Sequence, residues 1–341
     1  MRRVWIAAVL AACGRIGFDP VPSGAASSTL SLDRLDPGET LVDFPLPVTL
    51  DATHVASDLL DGSASNVRFF DASGTVLADE IEQIGPPLVA WVRVPQIVGT
   101  TTILTAEVGD ELPPPSTESV WSASYAAVYH LTNAAIDSTT NHRDGTAIGN
   151  GAIAMVAGAI ASAGSFDGVS QAYIISGAVD LPALTVSAWI QTTDSAVGFQ
   201  TLMTRPVPSS NFDDFFLGTE AGRQYVETCV GSGNNVATAA TEVASGQWMH
   251  LAVTADTATL VPYLNGAVSA PGVATGMALD NDTTPMLIGC DEGLSNQPNE
   301  NFLHGAVDEV RVEQVVRSAN WLHYDDAAQR DMVITYGQVS R

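Results

Sequence analysis

The chain has 341 residues, enough to bury two cores of ordinary domain size. It carries 38 acidic against 13 basic side chains, a formal net charge of -25, and every basic residue is arginine. Such a balance argues against nucleic acid as a partner, because a phosphate backbone needs a basic face, and makes cations more natural ligands. The absence of lysine fits either a GC-rich genome or a saline habitat, where acidic surfaces keep proteins soluble.

In chain order, Arg2 and Arg3 precede the apolar run from Val4 to Ala12, and Leu10-Ala11-Ala12-Cys13 reads as a lipobox. Residues 1–12 are therefore expected to be a lipoprotein signal peptide, with Cys13 the lipidated residue. The apolar run is shorter than the roughly 20 residues that span a bilayer; the competing reading is a buried helix with a chance cysteine. Gly14, where an Asp would favour inner-membrane retention, points to the outer membrane. The expected location is thus the outer membrane or cell surface, with membrane contact through the lipid anchor alone. Residues 13–29, rich in Gly, Ser, Pro and Ala, read as a flexible tether.

Residues 30–111 read as a small N-terminal β domain. Phe44 to Leu50 has strand character, and its prolines suit a sheet edge. Asn66 to Phe70 is followed by the turn signal Asp71-Ala72-Ser73-Gly74, and Leu88 to Pro95 and Thr101 to Leu104 are further strands. Residues 112–119 form a proline-rich linker. Residues 120–341 alternate short β-rich runs with Gly, Asn and Asp turns, as in a sandwich; Asn265-Gly266 predicts a tight hairpin. Arg317 to Tyr324 predicts a short helix, and Met332 to Tyr336 a last strand.

Five segments carry a resemblance: Gly164-Ser165-Phe166-Asp167-Gly168, the strand Leu184 to Ile190, Gly246 to Val253, Pro262 to Gly266, and Phe302 to Arg311. Together they resemble the LamG-like jelly rolls of the concanavalin A-like lectin/glucanase superfamily. The resemblance implies an all-β fold, an antiparallel β-sandwich beside the smaller N-terminal β domain, with Trp189 and Trp248 in its core. The first domain resembles an uncharacterised bacterial domain of unknown function that often precedes such modules. The shared residues are Asp43-Phe44-Pro45, Val67-Arg68-Phe69, Asp71 with Gly74, Glu80-Ile81-Glu82, and Trp91 to Pro95. Glu107-Val108-Gly109-Asp110 departs from the Tyr-Gly-Asn-like end usual there.

The sequence shows no Glu-x-Asp-x-x-Glu triplet of the glucanase branch, no nucleophile elbow, no HExxH and no nucleotide-binding glycine motif. Asp308-Glu309 is a dense carboxylate pair, but adjacent strand residues are expected to face opposite sides. His250 is expected to be a hydrogen-bonded structural residue. Calcium is the expected cation, since hard cations take carboxylate and amide oxygens. Its candidate ligands are Asp137, Asn141 and Asp144 in one loop, with Asp308 on a closing strand that would pair with the first; the resemblance implies calcium there or at the rim. The alternative is that Asp137 and Asp144 make turn hydrogen bonds, while Asp308 pairs with Arg311 or caps a backbone group. Asp280, Asp282, Asp291 and Glu292 read as solvated rim turns. With Cys13 assigned to lipid, Cys229 and Cys290 form an even pair in an oxidising compartment, so a disulfide is expected over two separate thiols. Aromatic candidates for a binding face are Phe212, Phe215, Phe216 and Tyr225.

The expected function is non-catalytic binding or adhesion to a polysaccharide or a cell-surface protein. The alternatives are a structural envelope protein and a carbohydrate-active enzyme. The anchor reading is tested by Cys13→Ser, which should abolish globomycin-sensitive processing and move the chain from the membrane to the soluble fraction. A variant that stays membrane-bound would refute it.

Overall fold

The computed structural model describes residues 25–341 apart from 86, 178, 180, 195–197, 209–211, 231–232, 276–283 and 293–297. The lipobox and Cys13 lie outside the described residues. Among the described residues the regular structure is strand in antiparallel sheets, with one helix, Ala319–Gln329.

The first domain is a small sandwich. One sheet pairs Leu41–Leu50 with Leu88–Ile97 and then Asp79–Gln83. Leu41–Leu50 is an edge of it, bonded on one side only, which is why Pro45 and Pro47 cost no ladder donor. The other sheet places Ala26–Leu32 beside Thr102–Val108 and Val67–Asp71. Period-two alternation sends Leu30, Leu32, Leu104, Phe44, Leu46 and Val48 into the core between them. The linker is strapped down, since Arg68 Nε donates to Pro113 O at 3.0 Å.

The last 23 residues depart from the expected division of the chain. They do not complete the jelly roll. Thr335–Tyr336 pairs with Ala26–Leu32 as a fourth strand of the first domain, Tyr336 opposite Leu30. The helix lays Trp321, Leu322 and Tyr324 into the same core, with the Trp321 and Tyr324 rings 5.1 and 5.3 Å from that of Phe44. Ser318 caps it, its hydroxyl accepting from Trp321 N at 3.0 Å. The expected boundary at 120–341 therefore gives way to a first core built from both ends of the described chain.

The second domain is the expected jelly roll. A nine-stranded sheet centres on Leu184–Thr192 and His304–Glu313, and a seven-stranded sheet on Phe199–Pro206 and Asp213–Glu220. Leu184, Val186, Ala188 and Ile190 point inward against Phe215, Leu217, Val226, Met286 and Ile288. The opening strand Tyr125–Tyr129 pairs with the closing strand, Val310 opposite Tyr129. Asn265 and Gly266 form a two-residue hairpin turn with φ of 50° and 72°. A Cβ on Gly266 would meet Asp326 Cβ at 2.9 Å, so glycine there also lets the turn abut the helix.

The outer face of the nine-stranded sheet is covered by the first domain and the helix. Arg311, 2 % exposed, lies with its guanidinium carbon 4.5 Å from the Trp91 ring and 5.3 Å from the Trp121 ring. It pairs with Glu309 at 3.2 Å and with Asp325 of the helix at 2.8 Å. Trp189 faces this seam rather than the inner core: its Nε1 donates to Gln329 Oε1 at 2.6 Å. Trp248, expected in the core, is half-buried outside it. His250 also faces the seam, 3.8 Å from Asp326.

Trp321→Ala should cost about 3–5 kcal/mol, the usual result of truncating a buried aromatic side chain. Urea denaturation checks this; a change below about 1 kcal/mol would show that the helix contributes little to the first core.

Candidate binding face

With one outer face covered, the seven-stranded sheet carries the other. On Asp213–Glu220, Phe215 and Leu217 enter the core, so Phe216 points away from it. Phe216 sits opposite Glu227, and Tyr225 lies two residues away on the same side. Phe199, Phe216 and Tyr225 form a mutual edge-to-face cluster, with centroids 5.0, 5.6 and 6.2 Å apart and planes at 84–88°. Only two of these rings reach solvent: Phe199 is 37 % exposed and Tyr225 half-buried, whereas Phe216 is 2 % exposed and packs beneath them.

Carboxyl groups border the rings. Tyr225 Oη donates to Glu227 Oε2 at 2.7 Å. Thr204 Oγ1 donates to Asp213 Oδ1 at 2.6 Å, and Asn301 Nδ2 to Asp291 Oδ2 at 3.2 Å. Asp213 and Asp291 are hydrogen-bonded to each other. Burial first, then the Asp291 charge, holds the Asp213 carboxyl well above its usual range; burial also raises Asp291. A carboxyl pair that keeps a proton both donates and accepts, which suits hydroxyl partners.

The sequence marked Phe216 and Tyr225 for this face. Phe215 belongs to the core, because the strand's alternation turns it inward, and Phe212 is half-buried just before the strand. Phe199 and Asp213 were missed: nothing local signals that Phe199 meets Tyr225, two strands away. Asp291, expected as a solvated turn, is shielded and bonded to Asp213; Asp280 and Asp282 lie outside the described residues.

The four expected calcium ligands do not converge. Asp137 Oδ1 accepts from Val128 N (3.1 Å) and Thr139 N (2.9 Å), and its Oδ2 from the Thr139 hydroxyl (3.0 Å) and Arg143 N (2.8 Å). Asp144 Oδ1 accepts from Asp137 N at 2.9 Å, and Asn141 Nδ2 donates to the carbonyls of Tyr125 and Ala126. These three knit a loop, as the alternative reading held for Asp137 and Asp144. Asp308 lies elsewhere: Val128, bound by Asp137, pairs with Arg311, three residues along the strand, and Asp308 Oδ2 accepts from Ile160 N at 2.9 Å. The expectation that Asp308 and Glu309 face opposite sides also fails. Glu309 has φ of 52°, and the register shifts between Ser187 and Trp189 opposite it, a bulge that breaks the alternation.

The expected disulfide is not formed. Cys290 is a free, buried thiol. Cys229 stands on Arg223–Val230 and Cys290 just beyond Met286–Ile288, with Asp213–Glu220 and Phe199–Pro206 between those strands. Three strand spacings amount to about 14 Å, twice the Cα separation of about 7 Å that a bridge tolerates.

No curated protein matches the chain. Among solved structures it is similar to domain 4 of AbnA, a GH43 extracellular arabinanase from Geobacillus stearothermophilus, in complex with arabinotriose. The identity is 20 % and the TM-score 0.46, over 62 % of this chain and 98 % of that one. It is also similar to the receptor binding domain of botulinum neurotoxin C/D mosaic serotype, at 12 % identity and a TM-score of 0.46, over 60 % of this chain and 51 % of that one. For the binding domain of botulinum neurotoxin DC in complex with SialylT the values are 10 %, 0.46, 61 % and 52 %. The chain thus spans about half the length of these toxin domains. Residues 166–323 match the family model Laminin_G_3, described as the concanavalin A-like lectin/glucanases superfamily.

Proposed function

We propose that this chain is a non-catalytic, extracytoplasmic binding protein whose jelly roll recognises a polysaccharide on the outer face of its seven-stranded sheet. The observation that carries the reading is the aromatic cluster of Phe199, Phe216 and Tyr225 bordered by Asp213, Asp291 and Glu227. Aromatic rings stack on the apolar faces of sugar rings, while carboxyl, hydroxyl and amide groups exchange hydrogen bonds with sugar hydroxyls. That the opposite outer face is packed against the first domain supports placing the ligand here. In this proposal Cys13 carries the lipid that holds the chain at the outer membrane or cell surface, and the first domain serves as a rigid base.

The test is affinity electrophoresis of the chain through gels containing a panel of neutral and acidic polysaccharides. At least one polymer should retard the wild type. Tyr225→Ala and Phe199→Ala should each weaken that retardation about tenfold, or about 1.4 kcal/mol. Release of reducing ends from the retarding polymer would show an enzyme instead. Absence of retardation across the panel, or variants that bind like the wild type, would refute the reading.

A further inference from the structure

A second group of side chains lies buried in the seam between the two domains. Glu82 stands on Asp79–Gln83 of the first domain, His130 directly follows the jelly roll's opening strand, and Glu309 occupies the bulge of its closing strand. A donor atom from each lies within 4.8 Å of the other two. His130 Nδ1 is 2.7 Å from Glu309 Oε1 and 3.7 Å from Glu82 Oε2, and its Nε2 is 3.6 Å from Glu80 Oε1. The side chains of His130, Glu82 and Glu309 are 9, 2 and 0 % exposed.

The surroundings hold these groups in place. Trp91 Nε1 donates to Glu82 Oε2 at 2.8 Å and Thr132 Oγ1 to Glu82 Oε1 at 3.1 Å. Arg311 donates to Glu309 Oε2, leaving Glu309 Oε1 turned to His130. Outer-sphere donors of this kind orient the carboxylates of metal sites.

Charge does not balance there. Glu80, Glu82, Asp308 and Glu309 surround His130, and the nearest other cation, Arg311, is shared with Asp325. Excess carboxylate out of water is costly unless a proton or a cation neutralises it.

A separate observation points to a missing partner. Asp308 is fully buried, yet its Oδ1 has no hydrogen-bond partner. Its charged neighbours are Glu309, Glu82 and His130, the same three residues. His130 Nε2 is likewise buried with no partner in hydrogen-bond range.

We propose that Glu82, His130 and Glu309 bind one zinc-class divalent ion, and that this ion staples the first domain to the jelly roll. One imidazole with two carboxylates is a donor set for zinc, whose bonds to such ligands run about 2.0–2.2 Å. Calcium, which takes six to eight oxygens, is disfavoured by the imidazole and the small number of donors.

The experiment uses the chain from residue 25 to 341, stripped with chelator and dialysed to equilibrium against Zn²⁺ or Ca²⁺, with bound metal read by mass spectrometry. One Zn²⁺ per chain and a raised thermal midpoint are expected, with no stoichiometric Ca²⁺. Glu82→Gln and His130→Gln should each weaken Zn²⁺ binding at least 100-fold, while exposed Glu118→Gln leaves it unchanged. Where those variants fail to fold, Co²⁺ added to the wild type should give the strong visible absorption of a nitrogen–oxygen site of low coordination number, removable by one equivalent of Zn²⁺. Three results would overturn the proposal: no stoichiometric Zn²⁺, uptake undiminished in folded Glu82→Gln and His130→Gln, or a Co²⁺ spectrum no different from the hydrated ion.

Discussion

The buried guanidinium of Arg311 ties three distant parts of the chain together. It stands on the closing strand of the jelly roll and packs against both Trp91 of the first domain and Trp121 of the segment that joins the domains. It binds Glu309 on its own strand and Asp325 on the C-terminal helix. A charge removed from water to this degree must be paired on several sides, and each partner comes from a different element. The first domain, the jelly roll and the helix therefore hold the positions that satisfy this one side chain.

That constraint decides which surfaces are available. A β-sandwich has two outer faces, and here the nine-stranded one is spent on the seam. Trp189, placed in a jelly-roll core by resemblance, instead lies beneath the helix with His250 beside it. The seven-stranded face keeps the Phe199, Phe216 and Tyr225 cluster and its bordering carboxyls. The same docking brings Glu82 of the first domain to His130 and Glu309 of the second, so the seam gathers groups that neither domain holds alone.

Local signals in the sequence were read correctly where the cause is local. Alternation at Leu184 to Ile190, the Asn265-Gly266 turn, the edge strand with Pro45 and Pro47, and the capped helix after Ser318 each follow from conformational preferences within a few residues. Most departures concern partners far along the chain. Asp137, Asn141 and Asp144 do share one loop, as their spacing required, but Asp308 does not join them. Cys229 and Cys290 share a sheet but stand three strands apart, and strand order is not written in spacing. One bulge at Glu309 reversed the expectation for Asp308 and Glu309, because a single left-handed φ on a non-glycine residue leaves no mark in composition.

By itself, then, the sequence determined the all-β character, the positions of most strands and turns, the excess of acidic charge, and the jelly roll of the second half. Each of these depends on side-chain period, backbone preference or simple count. Tertiary structure alone decided that the final strand returns to the first domain, which outer face of the sandwich is covered, and which carboxyls meet which rings and imidazole. Those outcomes depend on packing between residues up to some 300 positions apart, such as Leu30 and Tyr336, where the stabilisation comes from burying one surface against another rather than from any property of either segment alone.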